Sequence, residues 1–221
     1  MNTNWSVKLR PAVLLGLLVL ITGLCGCGAL SYAVQMLVPG GKGKWVEAQN
    51  EALSEGKKVL ILVYADENIQ YQHGQLIRYR TAAVVAEQME SELKVDMVDP
   101  VIVEQFQASD LNWTDRHPSQ IGRERYDADL VLYIELQEFT TAAEESGELL
   151  RGRIESNCSL FTADKSGSEA ELLWQKKVKA VYPPDIPQMA EIGAAERIRE
   201  ETIKLFAEGL VKHFYGHYEP Y

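Results

Sequence analysis

The sequence has little of what catalysts and disulfide-stapled domains need. Only three of its 221 residues are cysteine, Cys25, Cys27 and Cys158, which is too few for a disulfide framework. Four histidines are present, but there is no recognisable nucleophile turn and no set of metal ligands at the usual spacing. We therefore expect no enzymatic activity, no cofactor and no bound metal.

Positive charge is also scarce. The chain carries 22 Lys and Arg against 32 Asp and Glu, a formal net charge of −10. An acidic domain repels phosphate backbones and anionic headgroups. This balance argues against a nucleic-acid partner and against docking on anionic lipid through the domain itself.

The longest uncharged run lies near the N-terminus. Met1–Arg10 is polar with two cations, and Ala12–Leu24 has no charge and is rich in Leu and Val. Together they have the pattern of a secretion signal. The following Leu24-Cys25-Gly26-Cys27 resembles the lipobox of bacterial lipoproteins. That resemblance implies a signal peptide over residues 1–27, cleavage before Cys27, and lipidation of Cys27.

An uncleaved signal anchor is the alternative. Ala12–Val38 is a run of 27 residues without a charge. A segment of that length can cross a bilayer, so residues 12–38 could act as the anchor. Either kind of targeting segment places the domain in the cell envelope, facing the periplasm or the exterior. Pro39–Lys44 is rich in Gly and Lys but lacks the spacing of a phosphate-binding loop. We therefore predict a flexible linker over 28–44 and a single domain over 45–221.

Two apolar runs predict the centre of the fold. Within Asp127–Phe139, the residues Leu130–Ile134 are apolar without alternation, as in a strand covered on both faces. Val59–Tyr64 has the same character and should lie beside it. By contrast, Leu172–Tyr182 alternates and carries three lysines, which is typical of an edge strand open on one face.

The pattern as a whole predicts an α/β (α+β) domain with a mixed five-stranded sheet in β-α-β-α-β-β-β-α order and helices packed on it. The first strands should be parallel, with right-handed crossovers, and the last three an antiparallel meander. Strands are predicted over Lys58–Ala65, Val95–Val98, Asp127–Phe139, Leu149–Ala163 and Leu172–Tyr182. Helices are predicted over Trp45–Ser54, Gln75–Leu93, Val101–Gln107, Ser119–Arg125 and Ile186–Phe214, the last with a break near Gly193, and a loop over Asp66–Gly74.

Three segments carry a resemblance to bacterial envelope lipoproteins. They are Lys58–Val63, Tyr126–Leu132, and Leu160–Gly167 leading to Leu173-Trp174. Their layout is similar to that of the curli-secretion lipoprotein and of the N-terminal domain of the Tol-system translocation protein. It also resembles envelope lipoproteins that end in an aromatic tail such as Phe214–Tyr221. The resemblance implies a role in interaction or assembly, and it carries over no catalytic residue.

A second resemblance excludes one class of enzyme. The stretch from Trp45 to Asp66 resembles the opening of thioredoxin-like domains, but no C-x-x-C pair follows Asp66. A thioredoxin-type oxidoreductase needs that dithiol. The remaining thiol, Cys158, is expected to be a small buried hydrophobe.

Other polar residues allow two interpretations. His213 and His217 are four apart and could bind a metal, or they could be polar tips of a fraying helix end. Asp127 and Asp129 could bind a cation, although capping a turn and ending a strand explain them as well. Arg151 and Arg153 should lie on a solvated strand face beside Glu155.

The function predicted from these observations is a membrane-anchored extracytoplasmic lipoprotein that binds another protein or helps to assemble an envelope complex. The alternatives are an extracytoplasmic hydrolase and a small-molecule sensor. A hydrolase would hold Asp66, Asp115 and His117 in a polar cleft at the carboxyl ends of strands. The tail His213–Tyr221 should either fold back over the sheet or project as an aromatic recognition segment.

Overall fold

A computed structural model describes residues 43–143, 146–163 and 170–220. The predicted signal peptide, the anchor alternative and Cys27 lie outside these residues. The strands are β1 (Gly43–Val46), β2 (Lys58–Ala65), β3 (Asp96–Met97), β4 (Leu130–Ala143), β5 (Ser146–Thr162), β6 (Leu172–Tyr182), β7 (Gln188–Met189) and β8 (His217–Pro220). The α-helices are α1 (Glu67–His73), α2 (Ile77–Leu93), α3 (Pro100–Ser109), α4 (Pro118–Ile121) and α5 (Ala194–Val211). Within the described residues, no helix combines the length and the apolar character needed to cross a bilayer.

The chain divides into two units. Among the described residues, one unit consists of 43–46 with 218–220, and the other lies within 47–217. In the first, β1 pairs with β8, and the rings of Trp45 and Tyr218 meet edge to face with centroids 5.0 Å apart. Strand β1 begins at Gly43, inside the linker predicted over 28–44. This pairing joins segments at opposite ends of the chain, which local patterns do not reveal.

The second unit is built on the predicted mixed sheet. Its strand order is β3-β2-β4-β5-β6, with β7 pairing on β5. Strand β2 runs parallel to both β3 and β4, whereas β4, β5 and β6 form an antiparallel meander. Val59 lies opposite Leu130 and Ala65 opposite Leu136, so the two apolar runs are neighbours. The fold-class prediction, a mixed α+β domain with helices packed on a mixed sheet, is confirmed.

One face of the sheet is covered by α2 and α5. Leu132 of β4, Ile154 of β5 and Phe206 of α5 are fully buried in this larger core. Helix α5 lies so close to β5 that a Cβ built on Gly152 would stand 1.8 Å from the Oγ1 of Thr202. The absence of a side chain at Gly152 therefore permits the contact between helix and strand.

The opposite face is covered only in part. A smaller core joins Leu60 and Leu62 of β2 and Val131 of β4 to helix α3 and to Trp113 in the 3₁₀ turn that follows it. Within the described residues, no side chain of β5 or β6 belongs to the buried part of this smaller core. On the face that carries α3, strands β5 and β6 are thus left largely uncovered.

Two local predictions are wrong. Trp45–Ser54 is not helical, since Trp45 is in β1 and the Asn50 side chain turns the chain by accepting a hydrogen bond from the amide of Ala52 at 2.7 Å. The predicted loop Asp66–Gly74 contains helix α1, which Asp66 caps and Gly74 ends at φ 89°. Both errors come from Asn and Asp side chains, whose bonds to the backbone decide such short segments.

The C-terminal segment agrees in part with the prediction. Gly193, at φ 79°, precedes the helix, which begins at Ala194 rather than at Ile186. Phe214 is buried and packs on Trp174 of β6 with ring centroids 4.8 Å apart, whereas Tyr218 is exposed. Within the tail predicted over His213–Tyr221, Phe214 packs on the sheet, and the chain then continues as strand β8.

Candidate functional site

A crevice of about 420 Å³ lies at the carboxyl end of β2. In open sheets with parallel strands, this edge is where ligands usually bind. Its polar wall consists of Asp66, Glu67, Gln70, Gln75, Arg78, Glu104, Gln107 and Thr114. Its apolar wall includes Tyr64 and Trp113. We call it the carboxyl-end crevice.

Helix α1 forms one rim of the crevice and is tied down by side chains. The Oδ1 of Asp66 accepts a hydrogen bond from the amide of Ile69 at 2.7 Å, which caps the helix. Gln70 donates from Nε2 to the main-chain oxygen of Ala65 at 2.7 Å. His73 contacts the main-chain oxygen of Phe139 through Nε2 at 2.7 Å. These bonds fasten a short helix to the ends of β2 and β4.

His73 is half-buried and stacks on Phe139 with ring centroids 4.4 Å apart. Its burial lowers its pKa; the bond to Phe139 opposes this, and the charge of Arg199 adds to the lowering. Its Nδ1 is buried without a hydrogen-bond partner among the described residues. The neutral ring is therefore the form that the folded protein favours.

An ion pair stands in the crevice wall between α2 and α3. The Nη2 of Arg78 is 2.8 Å from the Oε1 of Glu104, and the two side chains are only 11% and 15% exposed. Nε of Arg78 and Oε2 of Glu104 are also buried, and neither has a hydrogen-bond partner among the described residues. Gln107, 4% exposed, donates from Nε2 to the main-chain oxygen of Val63 at 3.0 Å. Arg78, Glu104 and Gln107 are thus held by hydrogen bonds in the crevice wall, where they are largely shielded from water.

A second depression, which we call the sheet groove, lies on the uncovered half of the sheet. It has a volume of about 280 Å³ and shares Trp113 and Thr114 with the crevice. Tyr133 and Phe161 are half-buried in its lining, and its polar members include Glu135, Asn157, Gln175 and Arg116. Burial, with the charge of Glu135, raises the pKa of Tyr133 to about 12, so its hydroxyl stays protonated.

Beyond the groove, the same face carries a ladder of charges. Glu155 of β5 pairs with both Lys177 and Lys179 of β6. Hydrogen bonds from Lys177 and then Lys179 lower the pKa of Glu155. Arg153 stands 3.6 Å from Glu138. Arg151, Arg153 and Glu155 lie on one strand face as predicted, and all three are partly exposed beside an edge strand rich in lysine.

The residues predicted for a hydrolase do not converge in the carboxyl-end crevice. Asp66 lines the crevice, whereas its lining includes neither Asp115 nor His117. The Nδ1 of His117 accepts a hydrogen bond from the amide of Ser119 at 3.3 Å, and its ring packs on Phe161. Its bonding is that of a residue that starts helix α4.

The remaining polar candidates have structural partners. The Oδ2 of Asp129 accepts a hydrogen bond from the amide of Lys58 at 2.9 Å, and Asp127 closes the preceding turn at φ 49°. His213 stacks on Trp174, and His217 contacts Tyr215. Each of these side chains or turns thus serves local structure.

Cys158 is fully buried in β5, as predicted. Burial raises the pKa of its thiol to about 12, against a weaker effect of its hydrogen bond with Ser156. The thiolate is the reactive form of cysteine, so this residue is chemically inert in the folded protein.

The sequence matches no protein-family model and no curated protein. Solved structures similar in part to this chain include lipoprotein GNA1162 from Neisseria meningitidis, at 14% identity over 69% of this chain and 99% of that one, with a TM-score of 0.40. A dodecamer of PelC from Paraburkholderia phytofirmans matches at 11% identity over 77% and 98%, with a TM-score of 0.40. A minor lipoprotein from Acinetobacter baumannii matches at 10% identity over 73% and 92%, with a TM-score of 0.33.

Two of these three proteins are bacterial lipoproteins by name. Similarity at this level decides nothing about the activity or the partners of this chain. The resemblance to the curli-secretion and Tol translocation proteins stays a prediction. The function of this chain is therefore inferred from its own residues.

The ion pair between Arg78 and Glu104 is absent from the sequence-based predictions, although one signal for it exists. Arg78 lies next to the buried Ile77 and one helical turn before the buried Ala82, so it stands at the border of the core-facing stripe of α2. A charge at such a position needs a partner. The partner is on another helix, 26 residues further along the chain, and only the tertiary structure identifies it.

Proposed function

We propose that this chain is a non-enzymatic lipoprotein of the bacterial cell envelope, anchored through Cys27, whose domain binds another envelope protein. The observation that carries the proposal is the sheet groove on the uncovered half of the sheet. Its lining combines the half-buried rings of Tyr133 and Phe161 with polar groups from Arg116 and Gln175.

This composition suits a protein partner. The energetic centres of protein interfaces are rich in Tyr and Arg, and a polar rim surrounds them. The groove stands on β4, β5 and β6, which are hydrogen-bonded to one another over most of their length. A rigid platform loses little conformational freedom on binding, which favours affinity.

A non-enzymatic role accords with the chemistry of the polar residues. Cys158 is buried and inert, and Asp66 does not share its crevice with Asp115 or His117. Within the described residues, no group of three His, Cys, Asp or Glu side chains could hold a metal ion.

The anchor is tested by the intact mass of the protein purified from membranes. We expect the wild-type mass to lack residues 1–26 and to include lipid on Cys27. Cys27→Ala should retain the full precursor. A wild-type mass equal to that of the unmodified full chain would show that residues 12–38 act as an uncleaved anchor instead.

The partner is tested by site-specific photo-crosslinking in intact cells. A photoreactive residue at Gln175, in the groove, should give one discrete adduct with an envelope protein. The control position is Glu87, which is exposed on α2 on the opposite side of the sheet. The adduct should disappear when Phe161→Ala is added. Equal adducts from both positions, or an adduct that survives Phe161→Ala, would contradict the proposed surface.

A further inference from the structure

We propose that the carboxyl-end crevice binds a small organic cation, an ammonium or guanidinium compound. This site borders the groove assigned to a protein partner and shares Trp113 and Thr114 with it, but the two can be tested independently through residues that belong to one of them alone. The crevice lies within the range of about 300–1,000 Å³ that is usual for small-molecule pockets.

The charge of the wall is the first reason. Its charged residues are Asp66, Glu67, Glu104 and Arg78. Arg78 is already paired with Glu104 at 2.8 Å, which leaves the carboxylates of Asp66 and Glu67 at the exposed mouth without a cation in the lining. Such a mouth attracts cations and repels phosphates and carboxylates.

The aromatic wall is the second reason, and it is independent of the first. Tyr64 and Trp113 meet edge to face in the lining, with centroids 6.4 Å apart. The face of an aromatic ring attracts ammonium and guanidinium groups, most strongly where water is scarce. Tyr64 is half-buried, so its ring can be reached from the crevice while the surrounding protein shields part of it from water.

Hydrogen-bond acceptors are the third reason. Gln70 is partly exposed in the lining and donates from Nε2 to the main-chain oxygen of Ala65, which leaves its amide oxygen able to accept a hydrogen bond from a ligand. Because ammonium and guanidinium groups carry several N–H donors, they match this lining. Among the described residues, no three side chains of the crevice are grouped as metal ligands, so an organic cation fits better than a metal ion.

The first experiment is calorimetric titration of the full chain in detergent with four small molecules. Putrescine and agmatine supply the cations, 1,4-butanediol is a neutral analogue of similar length, and succinate is an anionic one. We expect saturable binding of the two cations and none of the diol or the dianion. Absence of saturable binding of either cation, or equal binding of the diol, would overturn the proposal.

The second experiment locates the site. Asp66→Asn removes the charge but keeps an oxygen that can cap α1, since Asn and Asp are equivalent caps. It should weaken cation binding about two- to five-fold. Glu87→Gln, on the exposed surface of α2, removes the same charge away from the crevice and should leave the affinity unchanged. An equal loss in both variants would show that the cations respond only to the net charge, and the proposal would be wrong.

Unchanged melting temperatures establish that both variants are folded. If Asp66→Asn destabilises the chain, Tyr64→Leu replaces it, because this variant removes the ring and leaves every charge in place. Cation binding unaffected by the loss of the ring would also contradict the proposal.

Discussion

The two faces of the sheet are made from the same strands and differ in what covers them. On the α2 and α5 side, residues from β2, β4, β5 and β6 all enter one core. On the α3 side the core stops at β2 and β4, and side chains of β5 and β6 instead line a groove and form ion pairs. The comparison shows how one sheet can differ between its faces, because the larger core fills one face and the groove proposed to bind a partner lies on the other.

The largest effect that distinguishes the two faces is expected at Leu132. This residue is fully buried in the larger core, so Leu132→Ala should reduce the free energy of unfolding by about 2–5 kcal/mol through lost burial and a cavity. Asn157→Ala, on the uncovered half, should cost less than about 1 kcal/mol. Urea denaturation of both variants measures the difference. Equal losses would mean that the faces do not differ as described.

A smaller effect is expected where α5 touches β5. A Cβ at position 152 would collide with Thr202, so Gly152→Ala should destabilise the protein by about 1–3 kcal/mol. Gly209, inside α5, has nothing within 4 Å of such a Cβ, and Gly209→Ala should stabilise the helix by about 0.5–1 kcal/mol. Thermal unfolding compares the two. Destabilisation by Gly209→Ala would contradict the open space at that position, and an unchanged melting temperature for Gly152→Ala would contradict the close contact between helix and strand.

The attachment of α1 should depend on pH through His73. Because the folded pKa lies below the ordinary value of 6.5, the unfolded chain binds the proton first. Stability should therefore decline as the pH falls from 6.5 towards the folded pKa and level off below it. His73→Gln should lose this part of the decline. Denaturation of both proteins between about pH 7.5 and pH 5 measures it, and parallel profiles would refute the assignment.

The smallest effect is expected at Glu155. Its folded pKa is lowered by Lys177 and Lys179, so its contribution is present above the unfolded pKa and is lost as the pH falls through the folded value. Because the pairs are on a solvated face, salt should screen them. Glu155→Gln should leave the melting temperature at physiological salt unchanged within error. A large shift would mean that this face is stabilised by its charges.

The sequence predicts the sheet well because local patterns encode it. The strands Lys58–Ala65 and Leu172–Tyr182 have the predicted bounds. The first is apolar after Lys58, and the second alternates apolar and polar residues between a loop and Pro183. Strand β7 and the pairing of β1 with β8 were not predicted. Both are short, and their partners are remote in the chain, so no periodicity reveals them.

The candidate sites were harder to predict. The sequence predicts that Asp66 follows the end of a strand, but it predicts a loop where helix α1 lies. The signals for that helix are an Asp cap and a Gly stop that bracket its seven residues, and they had to be combined to predict it. The Trp113 turn borders both depressions and has a local signal, since the side chain of Asp110 accepts a hydrogen bond from the amide of Asn112 at 3.2 Å. Its contact with Tyr64 is visible only in the tertiary structure.

The topology of β2 also bears on how the chain folds. The meander of β4, β5 and β6 joins neighbours in sequence, whereas β2 docks on β4 through contacts such as that between Lys58 and Asp129, 71 residues apart. Local pairings close shorter loops and form faster than distant ones. We therefore expect β2 to be incorporated late. In a newly synthesised chain, strands β4, β5 and β6, which carry the sheet groove, would then pair before β2 joins the sheet and forms the carboxyl-end crevice.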